Sequence, residues 1–119
     1  MDENTFLVSL SMEETAKKIH SAVVDGSITG ELLDHYVIQG QGEQYCIVAV
    51  YEKHYWRAGN RLTLTVTIDN LSGPTRVHCI GGGGGEGLFR FDWGAASSFS
   101  SLVYECLRDD MLSVSYTHL

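Results

Sequence analysis

The sequence predicts an α+β domain: an antiparallel sheet of four to five strands, in the order β-α-β-β-β-β-α, with two helices packed on one face. Three observations carry that prediction. In "RLTLTVTI", Leu62, Leu64, Val66 and Ile68 alternate with Thr63, Thr65 and Thr67, the period-two pattern of a strand with one buried face and one open one. Near each end of the chain, apolar residues recur instead at three- and four-residue spacing, which is the period of a helix packed on a core. Between those segments, "GQG", "RAGN" and "DNLSGPT" supply turn residues that cut the middle of the chain into strand-length runs. The 119 residues suit one domain, large enough to bury roughly two thirds of its unfolded surface without metals or disulfides.

The elements follow in order. "TFLVSLS", Thr5 to Ser11, reads as a short strand, after which Ser11 caps a helix with Glu14 as its capping-box partner. Met12, Thr15, Ala16, Ile19, Ala22 and Val23 form the stripe that packs inward, Glu13, Lys17, Lys18 and Asp25 lie off it, and Gly26 is the expected stop. "GSITGELLDH" reads as a polar loop. "YVIQGQGEQYCIVAVYEKHYW" then gives two strands joined near Gly40 to Gly42, the second of them running from Tyr45 to Trp56. After the threonine-faced strand and the "DNLSGPT" turn, "RVHCI" is a last strand ending in glycines. The closing helix places Ala95, Phe99, Leu102, Val103 and Cys106 on one face. Both helices on one side leave the threonine face open to water or a partner.

Composition excludes several function classes. A formal charge of −7 and a pI near 5.0 give no field that would draw nucleic acid or an anionic membrane. The acidic start "MDENTFLVSL" shows neither a basic signal region nor a membrane-length apolar run, so a cytoplasmic location is expected. Cys46, Cys79 and Cys106 are odd in number and widely spaced, which suits reduced thiols serving as small core residues and argues against a zinc site. No cofactor is expected. The end of the chain stands apart: "VSYTHL" resembles the translation of a transposon end sequence ligated to fragments in some sequencing libraries. The domain is therefore expected to span 1–112, with 113–119 a non-native tail on a metagenomic fragment.

The glycine-rich loop, Gly81, Gly82, Gly83, Gly84, Gly85 and Gly87, invites a phosphate-binding reading that does not survive. Gly82 and Gly87 have the spacing of a P-loop, but Leu88 and Phe89 stand where lysine and a hydroxyl residue belong. A dinucleotide fingerprint would need a helix to start where strand-like "LFRF" follows. The run costs stability wherever it lies in regular structure. It is therefore expected where a neighbour packs against bare backbone or the chain turns, with a mobile ligand-facing loop as the alternative.

The richest polar cluster is "YEKHYWRAGNR". Glu52, His54, Tyr55, Trp56, Arg57 and Arg61, with Trp93 as a further aromatic, make the candidate ligand or partner surface. Alternation puts Glu52 and His54 on one face, which equally describes a solvated strand end with cross-strand charge pairs. His78 and Cys79 point to opposite faces and do not share a metal, and the serines at 97, 98, 100 and 101 lack a nucleophile elbow. No catalytic residue is assigned. The expected function is a non-enzymatic binding or protein-interaction module, with a homodimer through the open sheet as one form. The alternative is a small-ligand-binding protein with a pocket between the sheet and the C-terminal helix.

The hairpin "YEKHYWRAGNRLTLTVTI", followed by the glycines, "LFRFDWG" and a last helix, resembles a family of small bacterial proteins of unknown function. The likeness runs from about Phe6 to Leu107. It implies a bacterial, cytoplasmic single domain and transfers no catalytic residue.

Overall fold

A computed structural model describes residues 4–26, 30–55, 60–83 and 93–112. The elements are β1 (Thr5–Val8), α1 (Met12–His20), β2 (Glu31–Gln39), β3 (Tyr45–Tyr55), β4 (Asn60–Asp69), β5 (Thr75–Gly83) and α2 (Trp93–Leu107). The five strands form one open sheet in the order β1-β5-β4-β3-β2, with every neighbouring pair antiparallel. This is the predicted α+β architecture with the predicted element order.

Helix α1 starts where the four residues Ser11 to Glu14 dictate. The Ser11 hydroxyl accepts from the Glu14 N–H at 3.1 Å, and the Glu14 carboxylate accepts from the Ser11 N–H at 3.1 Å, so two otherwise unpaired donors are satisfied at once. Thr15, fully buried on the inward stripe, returns its hydroxyl to the Ser11 carbonyl at 2.7 Å. The helix widens into a π-helical turn over Ser21–Asp25 and stops at Gly26. The stop the sequence suggests has a definite cause. Gly26 has φ −90°, and a Cβ there would lie 2.7 Å from the Ala22 carbonyl oxygen, so close backbone approach is what requires glycine.

The core is a single layer between the sheet and the helices. Leu62, Leu64, Val66 and Ile68 of β4 are buried. Beside them lie Val77 and Cys79 of β5 and Ile47, Ala49 and Tyr51 of β3. Met12, Ile19 and Val23 from the first helical segment and Val103 and Leu107 from α2 cover that face, while Thr63, Thr65 and Thr67 stand half-exposed on the other. At the far turn, Gly73 takes φ +114°, and the Asp69 carboxylate accepts the Leu71 N–H and both nitrogens offered by Arg76, at 3.0 and 3.1 Å.

Two elements depart from their sequence expectations. The segment expected to be loop up to His35 is strand from Glu31 onward, because β3 is long enough to ladder with it, and a β-bulge between Leu32 and Asp34 hides its alternation. Gly81, Gly82 and Gly83 are not a loop: they are the last residues of β5, opposite Leu64, Thr63 and Leu62. Here β4 supplies the ladder hydrogen bonds that hold side-chain-free backbone extended. Gly84, Gly85 and Gly87 lie outside the described residues, as do the expected tail and Phe89.

The two edges of the sheet are treated differently. Along β1, the chain covers its own edge: Ser9 N–H donates to the Asp110 carbonyl at 2.8 Å, Leu112 N–H donates to the Leu7 carbonyl at 3.0 Å, and Val8 bridges to Met111. Beyond β2, no described residue plays that part.

Candidate functional site

The hairpin-end cluster singled out from the sequence is brought together only in part. Glu52 and His54 share the open face of β3, and Arg61 lies opposite His54 on β4. The Arg61 guanidinium donates to the Glu52 carboxylate at 3.2 Å, a cross-strand pair with the arginine largely in water. Trp56 and Arg57 lie outside the described residues, as do the side chains of Tyr55 and Trp93. An exposed pair of this kind contributes little, on the order of 0–1 kcal/mol. Its geometry is that of a solvated strand end.

Edge strand β2, whose first half up to His35 the sequence assigns to a loop and whose second half it assigns to a strand, carries an exposed apolar surface. All nine of its residues are exposed, and Leu32, Leu33, Tyr36, Val37 and Ile38 leave between 38% and 51% of their surface to solvent. The other large exposed apolar residues among those described, Leu71, Ile80 and Tyr104, are scattered singly. Tyr36 and Ile38 pair with Val48 and Cys46 on the open face, whereas His35 and Val37 pair with Ala49 and Ile47 on the helix face. Apolar side chains therefore flank the unpaired edge on both sides.

On the helix face, α1 does not reach as far as β2, and a groove of about 550 Å³ opens between them. Its floor is Ile47, Ala49, Val66 and Ile68, its helix wall is Ala16 and Ile19, and Leu32 closes the β2 side. The polar lining is Lys17, His20, Ser21, His35 and Tyr51, and among the described residues no carboxylate lines it. Nδ1 of His20 lies 3.3 Å from the Tyr51 hydroxyl, tying α1 to β3 at the groove wall. Burial pushes the Tyr51 phenol up to about 12, so it remains protonated at any physiological pH. The groove among the described residues belongs to α1; Trp56, Phe89 and the Trp93 side chain, beside the pocket expected under the C-terminal helix, lie outside them. No local sequence signal marks the groove, since it arises from how far one helix extends across a sheet.

No disulfide joins Cys46, Cys79 and Cys106. Burial raises the pKa of both Cys46 and Cys106, and Cys79 is buried against α2, with its sulfur 4.0 Å from the Ser100 carbonyl. Among the described residues, no three His, Cys, Asp or Glu side chains gather as a metal site, and no helix is long and apolar enough to cross a membrane.

Fold and surface together define an open-sheet α+β domain with one covered edge, a second edge that no described residue covers and a groove on its helix face. The chain belongs to DUF6054, a family of unknown function whose model matches residues 1–110. That agrees with the family resemblance carried by "YEKHYWRAGNRLTLTVTI". No curated protein and no solved structure matches the chain.

Proposed function

We propose that this domain is a non-enzymatic interaction module that receives a partner strand at its β2 edge. The observation that carries this reading is the clustering of Leu32, Leu33, Tyr36, Val37 and Ile38 on the bare edge strand, while the opposite edge is covered by residues 110–112. Exposed backbone donors and acceptors flanked by apolar side chains are what strand addition uses. The bulge at Leu32 to Asp34 twists one end of β2 away, which leaves Tyr36 to Ile38 as the flat stretch that a strand would join. A second copy is the partner this edge admits with least, since antiparallel addition across a two-fold axis uses the same strand twice. We place the module in the cytoplasm, which three cysteines with no disulfide among them support.

Sedimentation equilibrium over a wide concentration range tests the proposal, with hydrogen exchange at β2. The wild type should associate, and its β2 amides should gain protection as concentration rises. The double variant Tyr36→Lys/Val37→Lys, altered only at exposed positions, should stay monomeric. A wild type that remains monomeric throughout, with β2 exchange independent of concentration, would overturn strand addition between copies. A second reading, a small-ligand binder, is supported by the groove under α1.

A further inference from the structure

We propose that the groove between α1 and β2 binds a free amphipathic anion: a monocarboxylate with a flexible hydrocarbon tail, the tail on the apolar floor and the carboxylate at Lys17. This goes beyond strand addition at the β2 edge and does not depend on it.

Three observations point to that ligand class. The first is size and shape. The groove's volume, about 550 Å³, falls in the range of small-molecule sites, and its floor is built from Ile47 and Ala49 of β3 and Val66 and Ile68 of β4, side chains of two neighbouring strands held rigid by the core. The second is sign. The chain carries 15 acidic and 8 basic residues, yet among the described residues the lining holds one lysine and two histidines and no acid. In a protein of net charge −7, a groove whose one formally charged described lining residue is a lysine runs against the sign of the overall field.

The third is the state of the lysine. Lys18, Arg61, Arg76 and Arg108 each pair with a carboxylate at 3.2 Å or less. Lys17, their neighbour in sequence and composition, has no such partner among the described residues and lies at the groove instead. Its ammonium offers three donors on a flexible stem, and the imidazoles of His20 and His35 add ring N–H groups at the same opening. A carboxylate is therefore matched at the rim and a hydrocarbon on the floor. A cation would meet unpaired positive charge, and a purely apolar ligand would leave the rim unused.

The test is a titration of the wild-type chain, followed by chemical-shift mapping, with straight-chain carboxylates of increasing length below their micelle concentrations. The controls are the alcohol and the trimethylammonium amphiphile of equal tail length. Affinity should rise about fourfold per added methylene while the floor lasts, as expected when each methylene leaves water. The carboxylate should bind at least tenfold tighter than the alcohol, with the trimethylammonium compound weakest. The shifts should fall on α1 and on the helix face of β3. Lys17→Gln, a change at an exposed position that leaves the core intact, should remove the advantage of carboxylate over alcohol and leave alcohol binding unchanged. Equal binding of alcohol and carboxylate, or Lys17→Gln without effect on their ratio, would overturn the assignment of an anion. Affinity that does not change with chain length, or shifts confined to the β2 edge, would overturn the groove as the site.

Discussion

The Tyr51 hydroxyl of β3 and the His20 imidazole of α1 meet at 3.3 Å, with their rings 5.9 Å apart, and this pair joins the helix to the sheet where the groove opens. The tyrosine belongs to the core and its hydroxyl to the groove wall, so burial acts directly on its ionisation.

The phenol, whose ordinary pKa is 10.0, is pushed up to about 12 by burial. A group whose folded pKa is raised contributes stability that is intact below the unfolded value and is lost as pH rises through the folded one. Between pH 10 and about 12 the unfolded chain therefore ionises first, and stability should fall with a component belonging to Tyr51. Denaturant unfolding of wild type and Tyr51→Phe across that range should converge as pH rises, because the variant lacks this component. Parallel curves would remove Tyr51 from the alkaline limb.

Truncation at β4 separates the two faces of the sheet. Leu64 is fully buried under the helices, so Leu64→Ala should cost about 2–5 kcal/mol. Thr65, next in sequence and on the half-exposed face, should change stability by about 0.5 kcal/mol or less as Thr65→Ala. Paired urea melts would measure both, and similar losses at the two positions would contradict the one-sided core.

What was legible in the sequence was local. The capping box at Ser11 and Glu14 closes within four residues, and the alternation from Leu62 to Ile68 depends only on strand geometry, so both are present in the chain before any tertiary contact forms. The start of β2 was hidden because the bulge after Leu32 interrupts the period-two pattern, and because "ELLDH" becomes strand only by pairing with distant β3. The glycines of β5 were misread for the same reason: their ladder partner, β4, is some twenty residues away in sequence. Of the site, Glu52, His54 and Arg61 were correctly placed at one hairpin end, but the groove depends on where α1 ends over the sheet, and His20 and Tyr51 are 31 residues apart.

Loss of the cap tests the local part alone. Ser11→Ala removes one acceptor from the first turn of α1 and leaves the Glu14 carboxylate facing a single N–H. Thermal unfolding should show a loss of about 1 kcal/mol. Asp at the same position retains an acceptor, and Ser11→Asp should restore most of that loss.

The thiols give a chemical measure of burial. Because burial raises the pKa of Cys46 and Cys106 and Cys79 is shut inside the core, little thiolate is present at neutral pH. Cys79 should react with a disulfide reagent far more slowly in the native protein than in denaturant, and more slowly than the half-buried Cys46 and Cys106. Rapid native reaction of Cys79 would show that α2, which lies over it, opens readily.

Two glycines, alike in composition, should respond oppositely to alanine. At Gly26 the added Cβ would lie 2.7 Å from the Ala22 carbonyl oxygen, a backbone atom of the turn that ends the first helical segment, and the Gly26 N–H is itself bonded to the Ser21 carbonyl at 3.1 Å. Neither can move without breaking the π-helical turn that sets Val23 into the core. Gly26→Ala should therefore destabilise the fold by about 1 kcal/mol or more. At Gly82 the Cβ would meet, among the described residues, only the Thr63 hydroxyl, at 3.5 Å, an ordinary contact on the open face. The reason the sequence suggested for a glycine, a neighbour against bare backbone or a left-handed turn, does not hold at this position, where the residue is extended and paired with Thr63. Alanine there should recover part of the roughly 0.5–1 kcal/mol that glycine forfeits in regular structure. Gly82→Ala should therefore melt at or above the wild-type temperature. A loss comparable to that of Gly26→Ala would mean that the open face at β5 is covered in the folded protein.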